Sequence, residues 1–151
     1  LDTTTPDTGV TEGTAGSAFF KPHLFDYFRN PHVQALEPAS FFALEVVRVP
    51  GPGYATCFGG GYVASGGVSP DKHPRPWVPA GLALVDAEMC GEVQTPLRLP
   101  AGLTLSHGDP VLFRFAKAGE PMERFAEVLL VRGGEVVDRV PTYRGEGQCF
   151  G

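Results

Sequence analysis

From Phe41 onward, short apolar stretches alternate with glycine and proline, the pattern of a chain of short strands joined by tight turns. Phe41–Pro50 is rich in β-branched and aromatic residues and runs into Pro50-Gly-Pro-Gly53. Tyr54–Phe58 and Gly61–Ser65 flank a Gly59-Gly-Gly61 turn, and Leu82–Ala87, Gly91–Leu97 and Val111–Ala116 are further strand candidates. The clearest element is a hairpin, Glu127–Arg132 and Glu135–Val140 around Gly133-Gly134. Paired glycines supply the positive φ angles that a two-residue hairpin loop requires. Phe113, Phe115, Leu129, Val131, Val136 and Val140 are the expected interior of this part. Ser69–Pro79 carries four prolines and is expected to be an irregular loop.

Ahead of Phe41 the pattern differs. Leu1–Ser17 is a polar lead-in with too little apolar surface to start a core. Phe19, Phe20, Leu24, Phe25, Tyr27 and Phe28 then crowd together. A short helix is expected over His23–Arg29, with Pro22 at its first turn. The fold class is therefore mainly β, a small β-barrel or sandwich preceded by a short, partly helical piece. The 20 glycines and 15 prolines among 151 residues favour that reading over a helical one.

Charge and cysteine usage narrow the function classes. The net charge of −5 comes from scattered acids, which argues against nucleic acid as a partner, since phosphate binding needs clustered Lys and Arg. No apolar run approaches the length of a membrane span, and no signal-peptide pattern follows Leu1. Cys57, Cys90 and Cys149 are odd in number and in no CxxC arrangement. Reduced structural thiols in a cytoplasmic protein are the expectation.

The candidate chemistry is sparse. His107 and Asp109 have a spacing that can chelate a metal, yet Gly108-Asp109-Pro110 before a strand is also ordinary turn chemistry. A metallohydrolase using His73, His107 and Asp109 is a minor alternative. No Gly-x-Ser-x-Gly elbow is present, so hydrolase chemistry has no support. Gly16-Ser17 could present backbone N–H groups to a phosphate or be a plain capped turn. Arg114–Phe125 and Pro141–Gly147 pack charges among small residues. Solvated loops would explain both, as would the rim of a site.

Taken together, several strings resemble one family. They are Thr11-Glu12, Ala15-Gly16-Ser17, Phe41–Arg48, Gly59–Ser65, Gly91–Pro96, Arg114–Phe125 and Pro141–Gly147. The resemblance is to the D-serine dehydratase-like C-terminal domain of the D-threonine aldolase, D-serine dehydratase and amino-acid deaminase family. These are pyridoxal-phosphate enzymes of the alanine racemase-like fold type. The resemblance implies that residues 1–40 are the end of a truncated (β/α) barrel plus a connector, and that 41–151 are the β-domain. It implies a cofactor-phosphate role for Gly16 and Ser17, with the Schiff-base lysine in a missing N-terminal barrel, since neither Lys21 nor Lys72 has an evident pocket. Lys117, Tyr143 and Arg144 are the candidate catalytic rim.

Well-described members hold a divalent metal through a His-x-Cys or His-x-Asp pair; here the matching positions are Lys117 and Gly119, which implies no metal. Lys117 either puts its own charge beside the cofactor or a substrate carboxylate, or is an exposed lysine paired with Glu120 or Glu123. The parent protein would act on small D- or 3-hydroxy amino acids as an aldolase, dehydratase/deaminase or racemase, and be a cytoplasmic homodimer. The fragment alone would be inactive. The competing expectation is a free-standing β-domain that binds an acidic metabolite or a partner chain.

Overall fold

A computed structural model describes residues 5–13, 16–67 and 69–148. Cys149 lies outside them, as does Ala15 of the Ala15-Gly16-Ser17 string. Eight strands form in chain order: β1 (Phe41–Gly51), β2 (Tyr54–Phe58), β3 (Arg75–Val78), β4 (Ala83–Leu84), β5 (Gln94–Arg98), β6 (Pro110–Arg114), β7 (Glu127–Arg132) and β8 (Glu135–Pro141). Six of them make an antiparallel sheet in the order β3-β6-β1-β2-β5-β4. Its two edge strands, β3 and β4, come close to one another without hydrogen-bonding, so the sheet curls into a nearly closed small barrel. The mainly β expectation holds.

Strand β1 shows why. Its first six residues alternate out and in, which buries Phe42, Leu44 and Val46 against the partner strands. Ala55 and Cys57 of β2, Leu97 of β5, and Val111 and Phe113 of β6 complete the interior with Phe115 and Leu82. Phe42 is the aromatic hub, 5.3 Å from the Phe113 ring, 4.5 Å from Phe115 and 5.0 Å from Tyr62. Such ring contacts add to the burial of area that drives the core together.

The structure corrects several local expectations. Ser69–Pro79 is not wholly irregular, because Arg75–Val78 forms β3. Pro76 is tolerated there because β3 is an edge strand, where a missing N–H need not break a ladder. Gly61–Ser65 is loop rather than strand. The helix expected over His23–Arg29 is a five-residue 3₁₀ turn, His23–Tyr27. Two short α-helices are also present, α1 (Pro31–Gln34) and α2 (Gly119–Arg124).

The hairpin β7–β8 forms as expected, with φ of 61° at Gly133 and 86° at Gly134. Its side chains, however, do not join the core. Leu129, Val131 and Val136 are exposed, because β7 and β8 pair only with each other and stand off the six-stranded sheet. Phe113 and Phe115 are buried as expected. Among the described residues, no helix is long and apolar enough to cross a membrane.

Candidate functional site

Three segments far apart in sequence meet at α2. The first is the loop from Gly59 to Gly67, which leaves β2. Gly60 has φ of 107°, and a Cβ there would lie 2.5 Å from Thr95 Oγ1 and 2.7 Å from Leu44 Cδ1. The loop can therefore cross the end of the barrel only with glycine at that point. The second is 115–125, where the chain leaves β6, turns through Ala116–Ala118 and enters α2. Its Pro121 sits in the first helical turn, where its missing N–H has no intrahelical role. The third is the turn 142–148 after β8.

Side chains of α2 and the residues before it grip the first segment through one residue, Ser65. The Lys117 ammonium donates to the Ser65 carbonyl at 3.0 Å and to its hydroxyl at 3.3 Å. The Ser65 N–H donates to Glu120 Oε1 at 3.2 Å. A base and an acid from one short segment thus hold all three polar groups of a single residue. The other oxygen of Glu120 faces Arg124 at 3.6 Å, and the Arg124 guanidinium lies over the Tyr62 ring at 5.6 Å. Tyr62 in turn meets Phe125 at 5.4 Å, which ties the rim to the core.

The third segment is joined through backbone and hydroxyl contacts. The Thr142 N–H donates to the Ala126 carbonyl, and the Thr142 hydroxyl donates to the Phe125 carbonyl. Tyr143 reaches α2 directly, its hydroxyl donating to the Gly119 carbonyl at 3.3 Å. Arg144 is exposed on the same turn. Two of the three expected rim residues, Lys117 and Tyr143, are therefore anchored at α2, and the third sits one position further along the turn. Lys117 gives two of its three donors to Ser65, a partner that local sequence could not supply. Ser65, Tyr62 and Arg124 were missed because no local pattern signals the 52-residue separation that Lys117 bridges, while Glu120, weighed as a partner for Lys117, accepts the Ser65 N–H.

Gly16 and Ser17 lie on the connector. Gly16 is exposed and precedes the 3₁₀ turn Ser17–Phe20, whose Phe19 N–H donates to the Gly16 carbonyl at 3.4 Å. A Cβ on Gly16 would meet only open space among the described residues. The connector itself is docked by charge. Arg114 is buried, and its guanidinium binds both oxygens of Asp26, at 2.8 and 3.1 Å, and the Lys21 carbonyl at 3.1 Å. The Lys21 ammonium sits 3.6 Å from Asp26 and donates to the Gln34 carbonyl. Partial burial pushes the Asp26 carboxyl up, but the hydrogen bonds and charge of Arg114, with Lys21, hold it below the usual carboxylate range.

His23 is wholly buried beside this group. Its N–H donates to the Phe115 carbonyl at 2.9 Å, and its ring Nε2 donates to the His73 carbonyl at 2.7 Å. Because a carbonyl only accepts, Nε2 carries the proton and Nδ1 the lone pair. Burial pushes the imidazole down to about 4, helped by Arg75 and Arg114. His73 is also depressed by burial.

The His107/Asp109 spacing is explained by a turn. Asp109 Oδ2 accepts the Ser106 N–H at 2.7 Å and the Asp109 N–H returns to the Ser106 carbonyl at 3.1 Å, while His107 is exposed. Among the described residues no three His, Cys, Asp or Glu are grouped to hold a metal ion.

The fold is similar to part of a D-threonine aldolase from Filomicrobium marinum. The match has a TM-score of 0.60 and 22% identity, covering 77% of this chain and 31% of that one. At that identity the likeness establishes the fold, and the chain spans less than a third of the aldolase. No family model matches the chain. No curated protein matches it either.

Each of the three lysines is engaged by partners among the described residues. Lys21 is buried and tied to Asp26 and Gln34, Lys72 faces Asp71 at 3.6 Å, and Lys117 is bound to Ser65. Gly16 and Ser17 offer one exposed turn of a four-residue 3₁₀ segment.

Proposed function

We propose that this chain is the β-domain of a pyridoxal-phosphate enzyme acting on small D-configured or 3-hydroxy amino acids. An aldolase, a dehydratase/deaminase and a racemase all fit this reading. The reacting lysine belongs to a preceding (β/α) barrel, and this domain supplies a rim. The observation that carries the reading is the bond from Tyr143 to Gly119, which joins the turn bearing Tyr143 and Arg144 to the α2 segment that follows Lys117. These residues lie in two of the seven strings on which the family resemblance rests, and the fold likeness to a D-threonine aldolase supports the reading.

In such an enzyme the cofactor serves as electron sink for a carbanion at Cα. The residues of this chain bind and orient. Lys117 and Arg144 supply positive charge for a substrate carboxylate, and Tyr143 offers a phenolic hydroxyl near them. Lys117 also holds the Gly59–Gly67 loop at Ser65, so its charge and the position of that loop are coupled. Gly16 and Ser17 would meet the cofactor phosphate at the edge of the barrel. A cytoplasmic homodimer belongs to the same proposal.

The test is turnover of D-threonine and D-serine. The 151-residue chain with added pyridoxal phosphate should show none, and should not retain the cofactor through gel filtration. The reading frame upstream of Leu1 should encode a barrel with a reactive lysine. In the joined protein Lys117→Met should lower kcat/KM by roughly tenfold to a hundredfold, about 1.4 to 2.7 kcal/mol. Turnover by the isolated chain that Lys117→Ala abolishes would overturn the proposal. A reading frame without a barrel would favour a free-standing domain that binds an acidic metabolite.

A further inference from the structure

We propose that the seam of the barrel, independently of the rim's function, binds a free α-amino acid with an aliphatic side chain. A cleft of about 350 Å³ opens there, lined by residues of β3, of the β4 segment and of the connector. That size lies within the range of small-molecule sites.

The lining is organised by chemistry. Leu82, Leu84 and Met89 give it an apolar surface, and Tyr27 closes one wall from the connector. Tyr27 also positions Arg75, whose guanidinium lies 5.4 Å from the ring centroid and donates to the Tyr27 hydroxyl. That contact takes one of five N–H donors. A planar, permanently charged group held in this way is pre-oriented for a carboxylate.

The opposite charge stands in the same cleft. Asp86 lines it, with a side chain 87% exposed that touches Arg98 only at 3.8 Å. It can turn to an ammonium at little cost. Asp71, the other acid there, is already engaged by Ser69 and Lys72 and adds field rather than a free partner. A simple carboxylic acid would meet two carboxylates, and a simple amine would meet Arg75. A zwitterion with an apolar group is the ligand class that matches a cation, a free acid and an apolar surface lining one cleft. Met89 adds an independent sign of constraint, since its φ of 56° is uncommon for a side chain of that size.

The experiment is an NMR titration of the ¹⁵N-labelled 151-residue chain with leucine, leucinamide and 4-methylpentanoate. Leucine should give saturable, millimolar shifts at Arg75 and from Leu82 to Met89. Each analogue lacks one charge and should bind roughly tenfold more weakly. Arg75→Gln should remove leucine binding. Should that variant unfold, Asp86→Asn decides: it lies on an exposed side chain and should weaken binding with the fold unchanged. No saturable shift, equal binding of the analogues, unchanged affinity in Asp86→Asn, or shifts confined to Lys117 and Tyr143 would each overturn the proposal.

Discussion

Arg114 and Asp26, 88 positions apart, form a two-pronged ion pair that fastens the connector to the barrel. Arg114 also lies 4.8 Å from the Trp77 ring centroid, so an aromatic face covers the guanidinium on another side.

Removing the acid from this pair leaves a buried cation with one backbone partner. Asp26→Asn should therefore destabilise the chain more than a surface charge would. Asp26 is about a third exposed, so the loss should be about 2 kcal/mol, below the range for a fully buried pair. Urea denaturation measures it. Asp26→Asn unfolding at the unmodified midpoint would mean that the connector is not docked through this pair.

Acid should loosen the same region earlier than the carboxylates alone predict. The His23 imidazole is pushed down to about 4 from 6.5, so the unfolded chain binds a proton more readily than the folded one. The stability this brings is complete above about pH 6.5 and is lost as pH falls towards 4, at up to about 1.4 kcal/mol per pH unit. His73 contributes with the same sign. Asp26, held below its usual value, adds a further loss only below about pH 4. Unfolding free energies measured from pH 7 to 4 should slope accordingly, and His23→Gln should flatten the upper part of that slope.

Gly145 should resist even a methyl group. A Cβ there would lie 1.9 Å from the Ala126 carbonyl oxygen, so the turn 142–148 has to move off the Phe125-Ala126 link between α2 and β7. Gly145→Ala should cost about 1 to 3 kcal/mol, and Tyr143 should lose its place beside Gly119. Gly67→Ala is the control, because a Cβ there meets nothing among the described residues. Equal melting temperatures for the two variants would contradict the packing of that turn.

The thiols of Cys57 and Cys90 should be slow nucleophiles in the folded protein. Both are buried and free, and burial pushes them up to about 11 and about 12. Only the thiolate attacks an alkylating reagent. Peptide-resolved alkylation at pH 8 should label neither until denaturant is added, and rapid labelling of either in the native state would show that the barrel opens.

Local sequence was enough for whatever depends on neighbours along the chain. The β-branched and aromatic run Phe41–Pro50 marked a strand, the paired glycines set the hairpin tip between β7 and β8, and Asp109 announced its turn. These features depend on φ preferences and on side-chain period, and both are properties of a few consecutive residues. The sequence also singled out Arg114–Phe125 and Pro141–Gly147 by their charge among small residues. It could not say that Lys117 would hold Ser65 or that Tyr143 would reach Gly119, because those contacts exist only after strands separated by dozens of residues have paired. It likewise could not place Leu129, Val131 and Val136 outside the core, nor draw Arg75–Val78 out of a proline-rich stretch into an edge strand. Alternation marks which side chains share a face, but only the pairing of whole strands decides whether that face meets another layer.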